Sequence, residues 1–219
     1  AVGQPVKCST AVGHDNMGPN AVNDLDTNTL RELIGLYKRC EAERRWPDIW
    51  RLAIMVMIPK AEAFKWRLIA LLCTPYRIWA RRKGEDISKW MKMLDKDWIA
   101  NGPCKASEHA AYDIAIDTEA HANDPDNVSV TIMHDLEKGF EKVRHETLVK
   151  RAPVFKFPPE ALELALSMYT SERRVRCGGA YSKPVFSKTG VLAGCPIAMG
   201  LLLLQLLDPV TKFWATSPR

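Results

Sequence analysis

The chain has 219 residues, with 47% hydrophobic and 26% charged residues and a net charge of +5 at neutral pH. These values exclude wholesale disorder, collagen and a long coiled coil, and the length allows one large domain or two small ones around a real core. The mild positive charge permits a nucleic-acid partner without demanding one.

In chain order, residues 1–24 are rich in Gly, Pro, Asn and Val and read as a loop or flexible arm. Asp26-Thr27-Asn28 offers helix caps, and Leu30, Leu33, Ile34 and Tyr37 follow at helical spacing, predicting a helix to about Arg45, where Trp46-Pro47 stops it. Arg51 to Ile58 is an apolar run that suits a buried strand, and Arg67 to Leu72 is a second, so a hairpin with basic residues at its tip is expected. Thr74-Pro75 opens a long helix, broken at Gly84 and resumed from Asp86 to Ile99. Ala106 to Ala122 reads as a helix and residues 123–127 as a turn. Val128 to Met133 is β-branched and alternating, the best strand in the chain. Glu137 to Arg151 is helical in composition, and Pro158-Pro159 starts a further helix to about Thr170. Glu172–Cys177 and Ala180–Ser187 read as strands joined at Gly178-Gly179. Residues 190–194 form a loop and Cys195 to Trp214 an apolar helix. Its longest apolar run, Ile197 to Leu207, is interrupted by Gln205 and falls short of the ~20 residues a membrane span needs. The expected class is α+β, and no membrane partner is expected.

The six cysteines form no C-x-x-C pair, and the flanks of the first four are unlike, which rejects a repeat. They read as free thiols of a reducing, intracellular compartment. The five histidines show no metal-ligand spacing and read as structural or surface residues.

The segment with most chemistry is Val130 to Phe140, a strand delivering Asp135 at its end. One reading is a hard-cation ligand, since Mg²⁺ takes one or two carboxylates plus substrate phosphates; the other is a plain helix cap.

Three segments in order carry a resemblance. They are Val56-Met57-Ile58-Pro59-Lys60 with Arg67-Leu68-Ile69-Ala70-Leu71-Leu72 and Tyr76-Arg77-Ile78; Asp135-Leu136-Glu137-Lys138-Gly139-Phe140; and Gly190-Val191-Leu192-Ala193-Gly194-Cys195-Pro196. Together they resemble the reverse transcriptases of non-LTR retrotransposons and group II introns, over about residues 46–207. The first is similar to the family's fingers pattern, the second to its motif A and the third to its motif B.

The resemblance implies the fingers and palm of a right-hand polymerase. Residues 1–24 would be the arm, 25–127 a fingers-like region with a helical insert, and 128–219 a partial palm. The implied reaction is RNA-templated addition of deoxynucleotides to a primer 3′ end, with an RNA template, a DNA primer and deoxynucleoside triphosphates as partners and Mg²⁺ as cofactor. Asp135 would be catalytic and bind both metal ions, with the Leu136 carbonyl helping one. Lys60 and Arg67 would hold the incoming triphosphate. Phe140 would exclude a ribose 2′-hydroxyl, and Gly194 would let the nascent base pair approach the backbone. From the residues alone, Lys60 and Arg67 also read as exposed hairpin charges, Phe140 as core and Gly194 as a helix-entry glycine.

Three departures qualify the match. Ala193 stands where much of the family has Gln, Arg67-Leu68-Ile69 replaces R-P-I, and no aromatic-x-Asp-Asp follows motif B, where Asp208 is the only acidic residue. The expectation is a fragment truncated before the second catalytic motif and the thumb, inactive by itself and completed by a protein partner. The rival expectation is a non-catalytic palm serving as an RNA-binding or protein-interaction module.

Overall fold

A computed structural model describes residues 11–62, 64–94, 96, 99, 107–122 and 136–216. The strand expected at 128–133, the turn before it, Asp135 and residues 1–10 of the arm lie outside the described residues.

Helix α1 spans Pro19–Asn23 and α2 spans Thr27–Glu43. Asp26 caps α2, its carboxylate accepting from the amides of Asn28 (2.8 Å) and Thr29 (3.1 Å). Arg44 ends it in a left-handed conformation. The chain then buries Trp46, whose indole N–H donates to the Leu164 carbonyl at 2.9 Å. Trp46 meets Trp79 edge-on at 5.0 Å and Tyr76 at 5.4 Å, so a break in the sequence becomes an aromatic anchor of the core.

Strands β1 (Leu52–Pro59) and β2 (Trp66–Leu71) form the expected antiparallel hairpin. β3 (Glu172–Cys177) lies parallel to β1, and β4 (Ala180–Tyr181) closes the order β2-β1-β3-β4. A parallel pair needs a long crossover, and helices fill it. They are α3 (Thr74–Leu94), α4 (Ser107–Ala122), α5 (His145–Val154) and α6 (Pro159–Tyr169); α7 (Ala198–Thr216) follows the sheet. The class is α+β. The core lies among α3, α5, α6, α7 and one face of the sheet, and includes Ala53, Tyr76, Leu148, Leu164, Met168, Leu201 and Leu204. Among the described residues no helix is long and apolar enough to cross a membrane.

Of the stretch 1–24 expected as a loop, residues 11–18 are irregular and tied to the start of α3, whereas Pro19–Asn23 form the short helix α1. The Asp15 carboxylate accepts from the Thr74 amide at 2.6 Å, and Arg77 donates to the Ala11 carbonyl at 2.9 Å.

Three expected elements differ. α3 runs unbroken through Gly84 and ends at Leu94. Glycine costs a helix about 1 kcal/mol, and the buried face made by Tyr76, Trp79, Ile87 and Trp90 on both sides offsets it. The helix expected from Glu137 starts only at His145. Lys138 is left-handed, and the Phe140 and Val143 carbonyls accept from Val191 (2.9 Å) and Gly190 (2.7 Å) rather than from a helical turn. The strand expected to Ser187 stops at Tyr181. Beyond it the Ser182 hydroxyl takes the Val175 amide, Pro184 has no amide to donate, and a single bridge re-forms between Arg173 and Val185.

Helix α7 continues across Pro209. Proline leaves the carbonyl four residues earlier, on Gln205, without its helical donor. The Arg151 guanidinium donates to that carbonyl and also meets Asp208 at 3.2 Å, joining α5 to α7.

Candidate functional site

Two sets of backbone bonds bring the three singled-out segments together. The first joins the turn at 136–143 to the loop at 189–194 through Val191 to Phe140 and Gly190 to Val143. The second joins that loop to the edge of β2, where the Ala70 amide donates to the Ala193 carbonyl at 3.1 Å. The glycines allow this. Gly190 has φ +82°, and a Cβ there would stand 3.1 Å from the Glu141 carbonyl oxygen; Gly194 has φ +97°, and its Cβ would lie 3.4 Å from the Ala70 oxygen and 3.7 Å from Ile69 Cγ2.

Arg67 sits on the same strand, two residues before Ile69 and on its face of the sheet. Its side chain is exposed and makes no ion pair among the described residues. Lys60 is exposed at the hairpin end, where its amide donates to the Lys65 carbonyl at 2.9 Å; Lys65 itself pairs with Glu62. Phe140 packs against the core while staying partly exposed. Ala193 is half-buried and Gly194 exposed. The backbone thus gathers Phe140, Ala193 and Gly194 with the strand that carries Arg67, and leaves Lys60 at the far end of the hairpin.

The Mg²⁺ expectation turns on Asp135, which lies outside the described residues. Leu136 is exposed, and its carbonyl accepts from the Gly139 amide at 3.2 Å. Among the described residues no group of three or more His, Cys, Asp or Glu could hold a metal ion. Asp208 faces Arg151 at 3.2 Å and Lys212 at 3.3 Å, two cations that already balance its charge. Two Mg²⁺ ions need several anionic ligands. Among the described residues no such set is present.

Two further groups at this junction, read from the sequence only as a structural or surface histidine and a free thiol, are placed by packing. His145 is buried, and its Nε2 lies 2.9 Å from the Gly190 carbonyl, so the neutral ring donates there and steadies the loop. Burial pushes its pKa below the ordinary value, and the nearby Arg173 charge pushes the same way; the bond to Gly190 opposes them. Cys195 opens the last stretch before α7, with its Sγ 3.2 Å from the Tyr76 hydroxyl. Burial raises this thiol's pKa, so it packs rather than reacts.

The chain matches no protein-family model and no curated protein.

Proposed function

We propose that the chain is the fingers-and-palm part of a reverse transcriptase-like polymerase, of the retrotransposon and group II intron kind. It holds a deoxynucleoside triphosphate against an RNA template and a DNA primer end. The observation that carries this reading is the backbone junction of 136–143 with 189–194 and of Ala193 with Ala70. Segments far apart in sequence meet there, beside an exposed Arg67 that makes no ion pair among the described residues.

In this reading Arg67 grips the triphosphate, because a planar guanidinium matches phosphate oxygens in pairs. Lys60 adds a second cation from the hairpin end. Gly194, with no side chain, leaves room for the base pair. Phe140 crowds the position of a 2′-hydroxyl and so favours deoxyribose. Asp135 and the Leu136 carbonyl are the proposed Mg²⁺ contacts. They do not amount to a full ligand set, and Asp208 is spent on Arg151 and Lys212. The chain by itself therefore binds nucleic acid without extending a primer. That same observation favours the second reading, a non-catalytic RNA-binding palm.

The test is equilibrium binding of a recessed RNA-template/DNA-primer duplex across a salt series, with primer extension in parallel. The proposal expects binding whose logarithm falls linearly with log salt, weaker binding by Arg67→Ala, and no extension. Binding independent of salt, or none, overturns it. Extension lost in Asp135→Asn keeps the family reading and overturns the inactivity.

A further inference from the structure

Two surfaces of the molecule stay uncovered, and they are opposite in charge. The first is α4. Every side chain described from Glu108 to Ala122 is exposed except that of Ala110, which is half-buried. A helix of this length is marginal when no face of it is packed. Tyr112 and Ile116, 69% and 62% exposed, lie one turn apart on one side. At helical spacing Asp113 and Asp117 line one flank of that pair, and Glu108 and Glu119 the other. The helix holds no Lys or Arg, in a chain whose net charge is +5. Glu108, Asp113 and Asp117 make no ion pair among the described residues. The second surface is the end of the β1–β2 hairpin. β3 pairs with β1 only over Leu52–Val56, so Met57, Ile58 and Pro59, with their β2 partners Leu68, Arg67 and Trp66, form a two-stranded ribbon beyond the third strand. Phe64 is 97% and Trp66 55% exposed there. Lys60, Lys65 and Arg67 stand on this ribbon against Glu62 alone, which Lys65 already pairs.

We propose that α4 of one copy docks on the hairpin end of a second copy. Tyr112 and Ile116 cover Phe64 and Trp66, and the flanking carboxylates meet Lys60 and its neighbouring cations. Charge complementarity selects the occupant. Each surface has open apolar side chains and an excess of the charge that the other lacks, so a second copy of the chain satisfies both. One chain does not bring its own two surfaces together, since both stay exposed. The two patches differ, so the contact is head-to-tail, and a copy inside a string uses both. The contact needs no nucleic acid and stands apart from the functional reading above.

The experiment is sedimentation velocity of the full chain, free of nucleic acid, over a wide concentration range at low and high salt. The mean mass is expected to rise above the 24.7 kDa of one chain as concentration rises. High salt screens the charges and is expected to weaken association at least about threefold. An α4 variant, Tyr112→Ser with Ile116→Ser, and a hairpin variant, Phe64→Ser with Trp66→Ser, each change exposed side chains only. Each is expected to associate at least about tenfold more weakly than the wild type. Mixed in equal amounts they regain one contact, between the intact hairpin of the first and the intact α4 of the second, and stop at the dimer. Lys150→Ala, an exposed change on α5, associates as the wild type does. A wild type that is monomeric throughout overturns the proposal, as does association that both variants retain or that salt leaves unchanged. A mixture no larger than its separate variants also overturns it. None of these outcomes touches the nucleic-acid reading, which its own binding assay decides.

Discussion

Gly190→Ala separates a close approach from a backbone preference. Gly190 (φ +82°) and Gly178 (φ +57°) both occupy the left-handed region that alanine disfavours, at a cost of about 1–2 kcal/mol. A Cβ at Gly178 meets nothing within 4 Å, while one at Gly190 stands 3.1 Å from the Glu141 carbonyl oxygen and 3.3 Å from its Cα. Those are backbone atoms, so the whole 136–143 turn must shift by tenths of an ångström, adding about 1–3 kcal/mol. Gly190→Ala is thus expected to cost about 2–5 kcal/mol and Gly178→Ala about 1–2, with Tm falling roughly 2–4 °C per kcal/mol in a chain of this length. Urea and thermal unfolding of the two variants side by side provide the assay. Equal costs would refute the account, because they would mean that the turn and the loop do not press on each other.

Arg151→Ala should lose about 1–3 kcal/mol by leaving the Gln205 carbonyl unpartnered. In a Pro209→Ala background the helix supplies its own donor, so a double-mutant cycle should show coupling above about 0.5 kcal/mol. His145 binds a proton less readily folded than unfolded, because its folded pKa lies below the ordinary 6.5. Its contribution is full above about pH 6.5 and is lost as pH falls from there towards the folded value, so the urea midpoint should drop on that side only, and less in His145→Gln. Lys83 lies 3.0 Å from Glu41 and 3.1 Å from Glu160, joining α2, α3 and α6. Lys83→Met should cost about 1–2 kcal/mol in urea unfolding, below the cost of breaking a fully buried pair because the carboxylates keep some water.

The locally encoded elements were legible. Asp26 starts α2 with its own side chain, the apolar runs around Lys60 make the β1–β2 hairpin, and proline at its first position starts α6. Elements decided by distant partners were not. Composition marks 137–144 as helix, but the loop at 190–191 claims the carbonyls of Phe140 and Val143. Gly84 marks a break, but aromatic burial on both sides carries α3 across it. Arg67, Phe140, Ala193 and Gly194 were named from their segments, and the backbone gathers those segments. His145 matters only through packing, which one-dimensional spacing does not encode.

A nucleotide site at this junction is tested by photoaffinity labelling with 8-azido-dATP, followed by peptide mapping. The label is expected within 58–70, 136–143 or 189–195, competed by dATP better than by ATP and lost in Arg67→Ala. A label confined to other segments, or one that dATP does not compete, would contradict it.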